Sequence, residues 1–159
     1  MVLRVAGLVH DSIVDGTGLR TAVFAQGCPH HCPGCHNPET WPFKGGTPME
    51  TEALAEEALK APWCAGVTLT GGEPFAQAEA MADLAARVRA GGKTVWTFTG
   101  YTYEQLAAMR EPAVPALLRH TNVLVDGPFI LAQRSIERPF CGSLNQRVLT
   151  LRDGEIQAG

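Results

Sequence analysis

Apolar residues recur along this chain with two alternating periods. Leu19 to Gln26, Val67 to Thr70, Lys93 to Thr99 and Asn122 to Val125 are short runs rich in apolar and β-branched residues, and each predicts a strand. In the first of these, Val23 and Phe24 are adjacent, as in a strand buried on both faces. Between the strands, residues 47–60, 77–90, 102–110 and 114–119 predict helices. The clearest helix places Met81, Leu84, Ala85 and Val88 at i, i+3, i+4 and i+7, and Gly91-Gly92 stops it. Thr47-Pro48-Met49-Glu50 reads as a helix start, with a Thr cap, Pro at the first position and an acid in the first turn. Residues 2–10 suit a leading strand or an edge hairpin, and 10–18 are turn-rich and irregular. Residues 130–138 fit neither period, and Val148 to Leu151 predicts a final strand before a turn at Asp153-Gly154.

Strands that alternate with helices predict an α/β fold, a mostly parallel sheet with right-handed crossovers and helices outside. The units are too few for a closed eight-stranded barrel, so an open partial (βα) barrel is expected, as one domain over residues 1–159. A chain of 159 residues, 45% hydrophobic and 18% charged, can bury a real core. The formal net charge of −3 gives no bulk attraction to nucleic acid or to an acidic membrane. No run is apolar enough to span a bilayer, and Met1-Val2-Leu3-Arg4-Val5 does not open a signal peptide. A cytoplasmic location, where thiols stay reduced, is the expectation.

The chemistry concentrates in Cys28-Pro29-His30-His31-Cys32-Pro33-Gly34-Cys35-His36-Asn37. Three cysteines at C-x3-C-x2-C spacing follow the predicted strand 19–26 at once, and Cys64 and Cys141 lie far off. Three thiolates can ligate three irons of a cubane and leave the fourth open, or can form part of a zinc site that borrows a distant ligand. Pro29, Pro33 and Gly34 favour a compact loop. A disulfide framework is disfavoured by the odd count of five cysteines. Cys64 reads as a small buried or loop residue, and Cys141 as an ordinary loop residue. Trp41 and Phe43 read as packing over the loop. His10, His30, His31 and His120 read as solvated histidines with no assigned role.

The cysteine spacing resembles that of the radical S-adenosylmethionine (SAM) superfamily. Thr70-Gly71-Gly72-Glu73-Pro74 is similar to that superfamily's Gly-Gly-Glu motif at a strand end. Several further runs span nearly the whole chain: Asp15-Gly16-Thr17-Gly18-Leu19-Arg20, residues 28–41, Trp96-Thr97-Phe98-Thr99-Gly100-Tyr101, residues 122–129 and Gly142-Ser143-Leu144-Asn145-Gln146. Together they resemble the activating proteins of anaerobic (class III) ribonucleoside-triphosphate reductase. Thr17 stands where that family often has Pro, and Cys141 where Arg commonly precedes Gly-Ser.

The resemblance implies a fold of the radical SAM type and a [4Fe–4S] cluster held by Cys28, Cys32 and Cys35, with SAM on the open iron. Reductive cleavage of SAM would then generate a glycyl radical on the large reductase subunit, at a glycine loop. A flavodoxin or ferredoxin is the implied reductant. Gly34, Cys35 and His36 would meet the adenine, and Gly71, Gly72 and Glu73 the methionine amino group. Thr97 and Thr99 would reach the sugar or carboxylate, although β-propensity explains them equally. Asp126 would bind SAM, contact the partner, or cap a turn with Gly127. Two alternatives stay open. One keeps the chemistry and changes the substrate, to another glycyl-radical enzyme or a small molecule. The other is a zinc or electron-transfer module without SAM chemistry.

Overall fold

The protein is described by a computed structural model covering residues 1–35 and 38–157. Its strands are β1 (Val2–Ser12), β2 (Arg20–Ala25), β3 (Thr47–Glu50), β4 (Gly66–Gly71), β5 (Thr94–Phe98), β6 (Val123–Asp126), β7 (Arg147–Arg152) and β8 (Glu155–Ile156). The helices are α1 (Thr51–Lys60), α2 (Ala78–Ala90), α3 (Tyr103–Ala108) and α4 (Ala113–His120). All eight strands form one sheet in the order β3-β1-β2-β4-β5-β6-β7-β8. The centre, β2-β4-β5-β6, is parallel. Both flanks are antiparallel, so the sheet is mixed. The helical crossovers produce the parallel pairs, because only a long connection returns a chain to the same strand end. Short links join the antiparallel pairs β1-β2 and β7-β8, whereas residues 127–146 separate β6 from β7 and β2 intervenes between β1 and β3.

Three predicted boundaries change. Residues 47–50 form an edge strand rather than a helix start, pairing Leu3 with Met49 and Val5 with Thr47. An edge strand tolerates Pro48, which has no N–H to give the ladder. Helix α1 therefore starts at Thr51, and Glu50 at its N-cap makes no side-chain capping bond. The first strand runs on to Ser12, into the segment expected to be irregular. Strand β7 is not the last, since Asp153 and Gly154, both at positive φ, turn the chain into β8.

The two faces of the sheet differ. On one, Met81, Leu84, Ala85 and Val88 of α2 are fully buried against Val67, Leu69 and Val95, with Leu106 of α3 and Leu117 of α4 in the same core. Each buried aliphatic side chain contributes about 1.5–3 kcal/mol. Among the described residues, no α-helix contributes to the small cluster on the other face. Trp96 and Val125 pack there against Phe140 and Cys141, with the Trp96 and Phe140 rings 4.8 Å apart and edge to face.

The amino-terminal ends of the parallel strands are tied by Arg20, which is 1% exposed. Its guanidinium donates to the hydroxyls of Thr68 and Thr94 and to the carbonyls of Thr17, Val67 and Thr94. Burial pushes its pKa down to about 10. The motif Asp15 to Arg20 thus closes the end of the sheet opposite the cysteines. A Cβ at Gly16 would lie 2.8 Å from the Arg20 side chain and 2.9 Å from Trp96. Thr17 contributes its carbonyl, a group that the Pro expected there would also supply.

Candidate functional site

Strand β2 ends at Ala25, and Gly27, at φ +107°, turns the chain into the cysteine loop. Two backbone hydrogen bonds close the neck of that loop: Gly27 N–H to the Thr40 carbonyl at 2.6 Å, and Cys28 N–H to the Trp41 carbonyl at 3.1 Å. Inside it, Cys35 N–H donates to the Cys32 carbonyl at 3.0 Å. Gly34 takes φ +76°, and a Cβ there would lie 2.8 Å from Leu131 and 3.3 Å from Phe129. That glycine lets the loop settle on the segment after β6. His31 stacks on Trp41, with centroids 4.7 Å apart.

The loop lies on the glycine pair that ends β4. Gly72 N–H donates to the Ala25 carbonyl and Glu73 N–H to the Gly27 carbonyl. A Cβ at Gly72 would stand 2.3 Å from the Gly27 oxygen, so only glycine permits this approach. Cys28, Cys32 and Cys35 border one cavity of about 130 Å³, together with Thr70, Gly71, Gly72, Thr99 and Gly100. Phe98, Val125, Phe129 and Trp41 supply its apolar walls. Larger clefts of about 490 and 690 Å³ open elsewhere, but they lie away from the three thiols. The cavity sits at the carboxyl ends of parallel strands, where α/β folds bind ligands.

The donor set suits a cluster. Among the described residues, no three His, Cys, Asp or Glu side chains are gathered to hold one metal ion. A single ion draws its ligands to within about 2.3 Å of one point, whereas a cluster distributes thiolates over separate irons. Here three thiols border a common space at the carboxyl ends of the strands. Trp41, another wall of the cavity, has a buried indole N–H with no hydrogen-bond partner among the described residues. A bound acceptor would satisfy such an orphan donor. Burial pushes the Cys28 thiol up, backbone hydrogen bonds from His30 and His31 oppose this, and the charge of Glu73 adds to the rise. A cation at the site would reverse that balance.

Not every expected contact residue reaches the cavity. Thr99 does, but Thr97 does not. Thr97 is fully buried on the helical side, and its hydroxyl is 2.9 Å from that of Thr121, which donates to the Leu117 carbonyl. Asp126 is 1% exposed and does not border the cavity. It accepts from Tyr103 N–H at 2.7 Å and from Arg147, which also pairs with Glu104. Asp126 thus secures α3 and β7. The hydrogen bonds that Arg147 donates to Asp126 raise the Arg147 pKa. Glu73 is likewise fully buried, with protein donors at both of its oxygens. His36 lies outside the described residues. Cys64 and Cys141 are buried away from the loop, Cys64 beside Thr21 and Gly66.

His30, to which the sequence alone gives no role, belongs to the site. Its Nε2 is 2.6 Å from Glu73 Oε1, and it borders the cavity. Its position between two cysteines of the loop was the available signal.

Comparison with known proteins gives the family of the chain. Residues 14–149 match the family described as a 4Fe-4S single cluster domain. The chain is 35% identical over 149 residues to the anaerobic ribonucleoside-triphosphate reductase-activating protein of Salmonella typhimurium, covering 88% of this chain and 94% of that one. The protein of that name from Escherichia coli gives the same figures. The one from Vibrio cholerae is 35% identical over 142 residues, covering 84% and 89%. The crystal structure of QueE from Escherichia coli shares the fold, with a TM-score of 0.52 at 20% identity over 64% of this chain and 54% of that one. The chain belongs to the family of anaerobic ribonucleoside-triphosphate reductase-activating proteins, built on a 4Fe-4S single cluster domain.

Proposed function

We propose that this chain is a radical SAM activating enzyme that installs a glycyl radical on an anaerobic ribonucleoside-triphosphate reductase. The observation that carries the reading is the shared cavity of Cys28, Cys32, Cys35 and the Gly71-Gly72 turn, in a chain of this family. Cys28, Cys32 and Cys35 would hold a [4Fe–4S] cluster with one iron left for SAM. When bound, the pair supplies one-electron cleavage chemistry that no side chain offers.

The chain's own residues bind, orient and exclude water. Gly71 and Gly72 leave bare backbone at the cavity edge, where the methionine part of SAM can be met without an intervening side chain. Gly34, Cys35 and His36 are the proposed adenine side, and the Thr99 end of β5 the sugar side. Phe98, Val125 and Phe129 make the walls apolar, which disfavours water around a reactive species.

The sheet face whose small cluster includes no α-helix among the described residues supports an open partial barrel, in one domain, that admits a peptide loop carrying the target glycine. A flavodoxin or ferredoxin is the proposed electron donor, and a reducing cytoplasm the proposed location. Among the described residues no helix is long and apolar enough to cross a membrane.

The test is anaerobic. Protein reconstituted with iron and sulfide, reduced and given SAM, is expected to yield 5′-deoxyadenosine. With the reductase present, it is also expected to yield a glycyl-radical EPR signal. Deoxyadenosine without the signal would redirect the reading to another substrate, and a cluster that leaves SAM intact would overturn it.

A further inference from the structure

The resemblance assigns the Glu73 carboxylate to an amino group of SAM, but the structure spends that carboxylate on the protein. Glu73 is 0% exposed. Its Oε1 accepts from Gly100 N–H at 2.8 Å and lies 2.6 Å from His30 Nε2. Its Oε2 accepts from Phe75 N–H at 3.1 Å, and the Thr99 hydroxyl is 2.9 Å from both oxygens. A carboxylate has about four lone-pair sites, and four protein groups occupy them here. Because a carboxylate oxygen accepts, His30 is the donor.

The four groups come from three places. Phe75 belongs to the turn after Gly71-Gly72, Thr99 and Gly100 to the end of β5, and His30 to the cysteine loop between Cys28 and Cys32. The imidazole is seated as well as bonded. A Cβ at Gly100 would lie 2.5 Å from its ring, so the glycine forms the floor of the seat. The Tyr101 ring stands edge-on at 4.5 Å. Thr99-Gly100-Tyr101 thus also receives one histidine of the loop.

We propose that His30 is a positioning residue, a latch that fixes the cysteine loop to the strand ends through Glu73 and so sets the thiols beside Gly71-Gly72 before any group binds. The neck bonds at Gly27 and Cys28 hold only the base of the loop; the latch holds its first turn. The consequence for the thiols rests on the proposed function, but the latch itself is a property of the polypeptide.

Two experiments test it. In the first, protein without cluster is treated with iodoacetamide, and modification of Cys28 and Cys64 is followed by mass spectrometry. Both thiols are buried, 8% and 6% exposed, and Cys64 lies outside the loop. Buried thiols react through local opening. His30→Ala and Glu73→Gln should each speed modification of Cys28 about tenfold, as loss of a hydrogen bond to a charged group allows. The double variant should add little, and Cys64 should not change. His30→Gln, which can again place an N–H near Glu73, should restore most of the protection.

An unchanged Cys28 would overturn the proposal. So would Cys28 and Cys64 accelerating together, effects that multiply in the double variant, or His30→Gln behaving as His30→Ala. His30 is only part-buried, so its variants are expected to fold even if Glu73→Gln does not. In the second experiment, the reduced, cluster-loaded His30→Ala protein should show a weakened or broadened SAM-induced change in its EPR spectrum at normal iron content. An unaltered response would overturn the link to the thiols. Wild-type protein that takes up no cluster would refute the proposed function, while the alkylation result would still decide the latch.

Discussion

Each end of the parallel strands holds a buried charged side chain that gathers several partners, Arg20 at one and Glu73 at the other, and the two are used differently. At the amino ends, Arg20 gives all five of its hydrogen bonds to hydroxyls and carbonyls of its own loop, β4 and β5. At the carboxyl ends, Glu73 collects donors from a turn, a strand end and the cysteine loop. Arg20 joins parts that already share a hydrogen-bond ladder, and glycines press the chain onto it. Glu73 adds to the paired ends of β4 and β5 a partner from outside the ladder, His30 of the cysteine loop. The amino end is a clamp on a frame, whereas the carboxyl end connects that frame to the cysteine loop. Stability should therefore reside at the first end and function at the second.

The largest expected effect lies at the functional end. Cys32→Ser should reduce SAM cleavage to background while the unfolding midpoint of the protein without cluster barely moves. A large stability loss in that variant would break the contrast. Next in size is Arg20→Met, which leaves buried acceptors unsatisfied. It should lower the unfolding free energy by about 3 kcal/mol, measured by urea titration, and leave cluster content per folded molecule unchanged.

Gly72→Ala falls between the two ends. Its methyl would meet the Gly27 carbonyl, and overpacking of this kind costs about 2 kcal/mol. It should also loosen the cysteine loop, so stability and SAM cleavage are expected to fall together.

The smallest effect belongs to neither end. Burial, with Arg89 and Arg119 nearby, holds His120 below its ordinary value of 6.5. Between its depressed folded value and 6.5 the unfolded chain binds more protons, so stability is complete above 6.5 and declines as pH falls through that window. His120→Gln should shrink the difference in melting temperature between pH 7.5 and pH 5.5, values that bracket the histidine range.

The sequence made some elements legible and hid others for identifiable reasons. Helix α2 could be read because its four apolar positions share one face and nothing competes for them. Strand β3 was misread because Thr-Pro-Met-Glu satisfies the local rules for a helix start. Its partner, Leu3 to Val5, lies more than forty residues earlier, and local rules carry no information about a distant edge. Thr97 and Thr99 illustrate the same limit inside one strand. Two apart, they share a face by alternation, yet Thr99 lies beyond the last residue of β5, where the chain turns over the cavity.

By itself, the sequence determined the alternation of strands and helices, the three cysteines, the glycine pair and the family, because each is written in contiguous residues with a fixed local meaning. Tertiary structure decided what the buried polar groups do. Glu73, His30, Asp126 and Arg20 each take their roles from partners far away in the chain, at separations of 43 residues for His30 with Glu73 and 21 for Asp126 with Arg147. A buried charge is defined by the donors or acceptors that surround it, and only the folded chain brings those together.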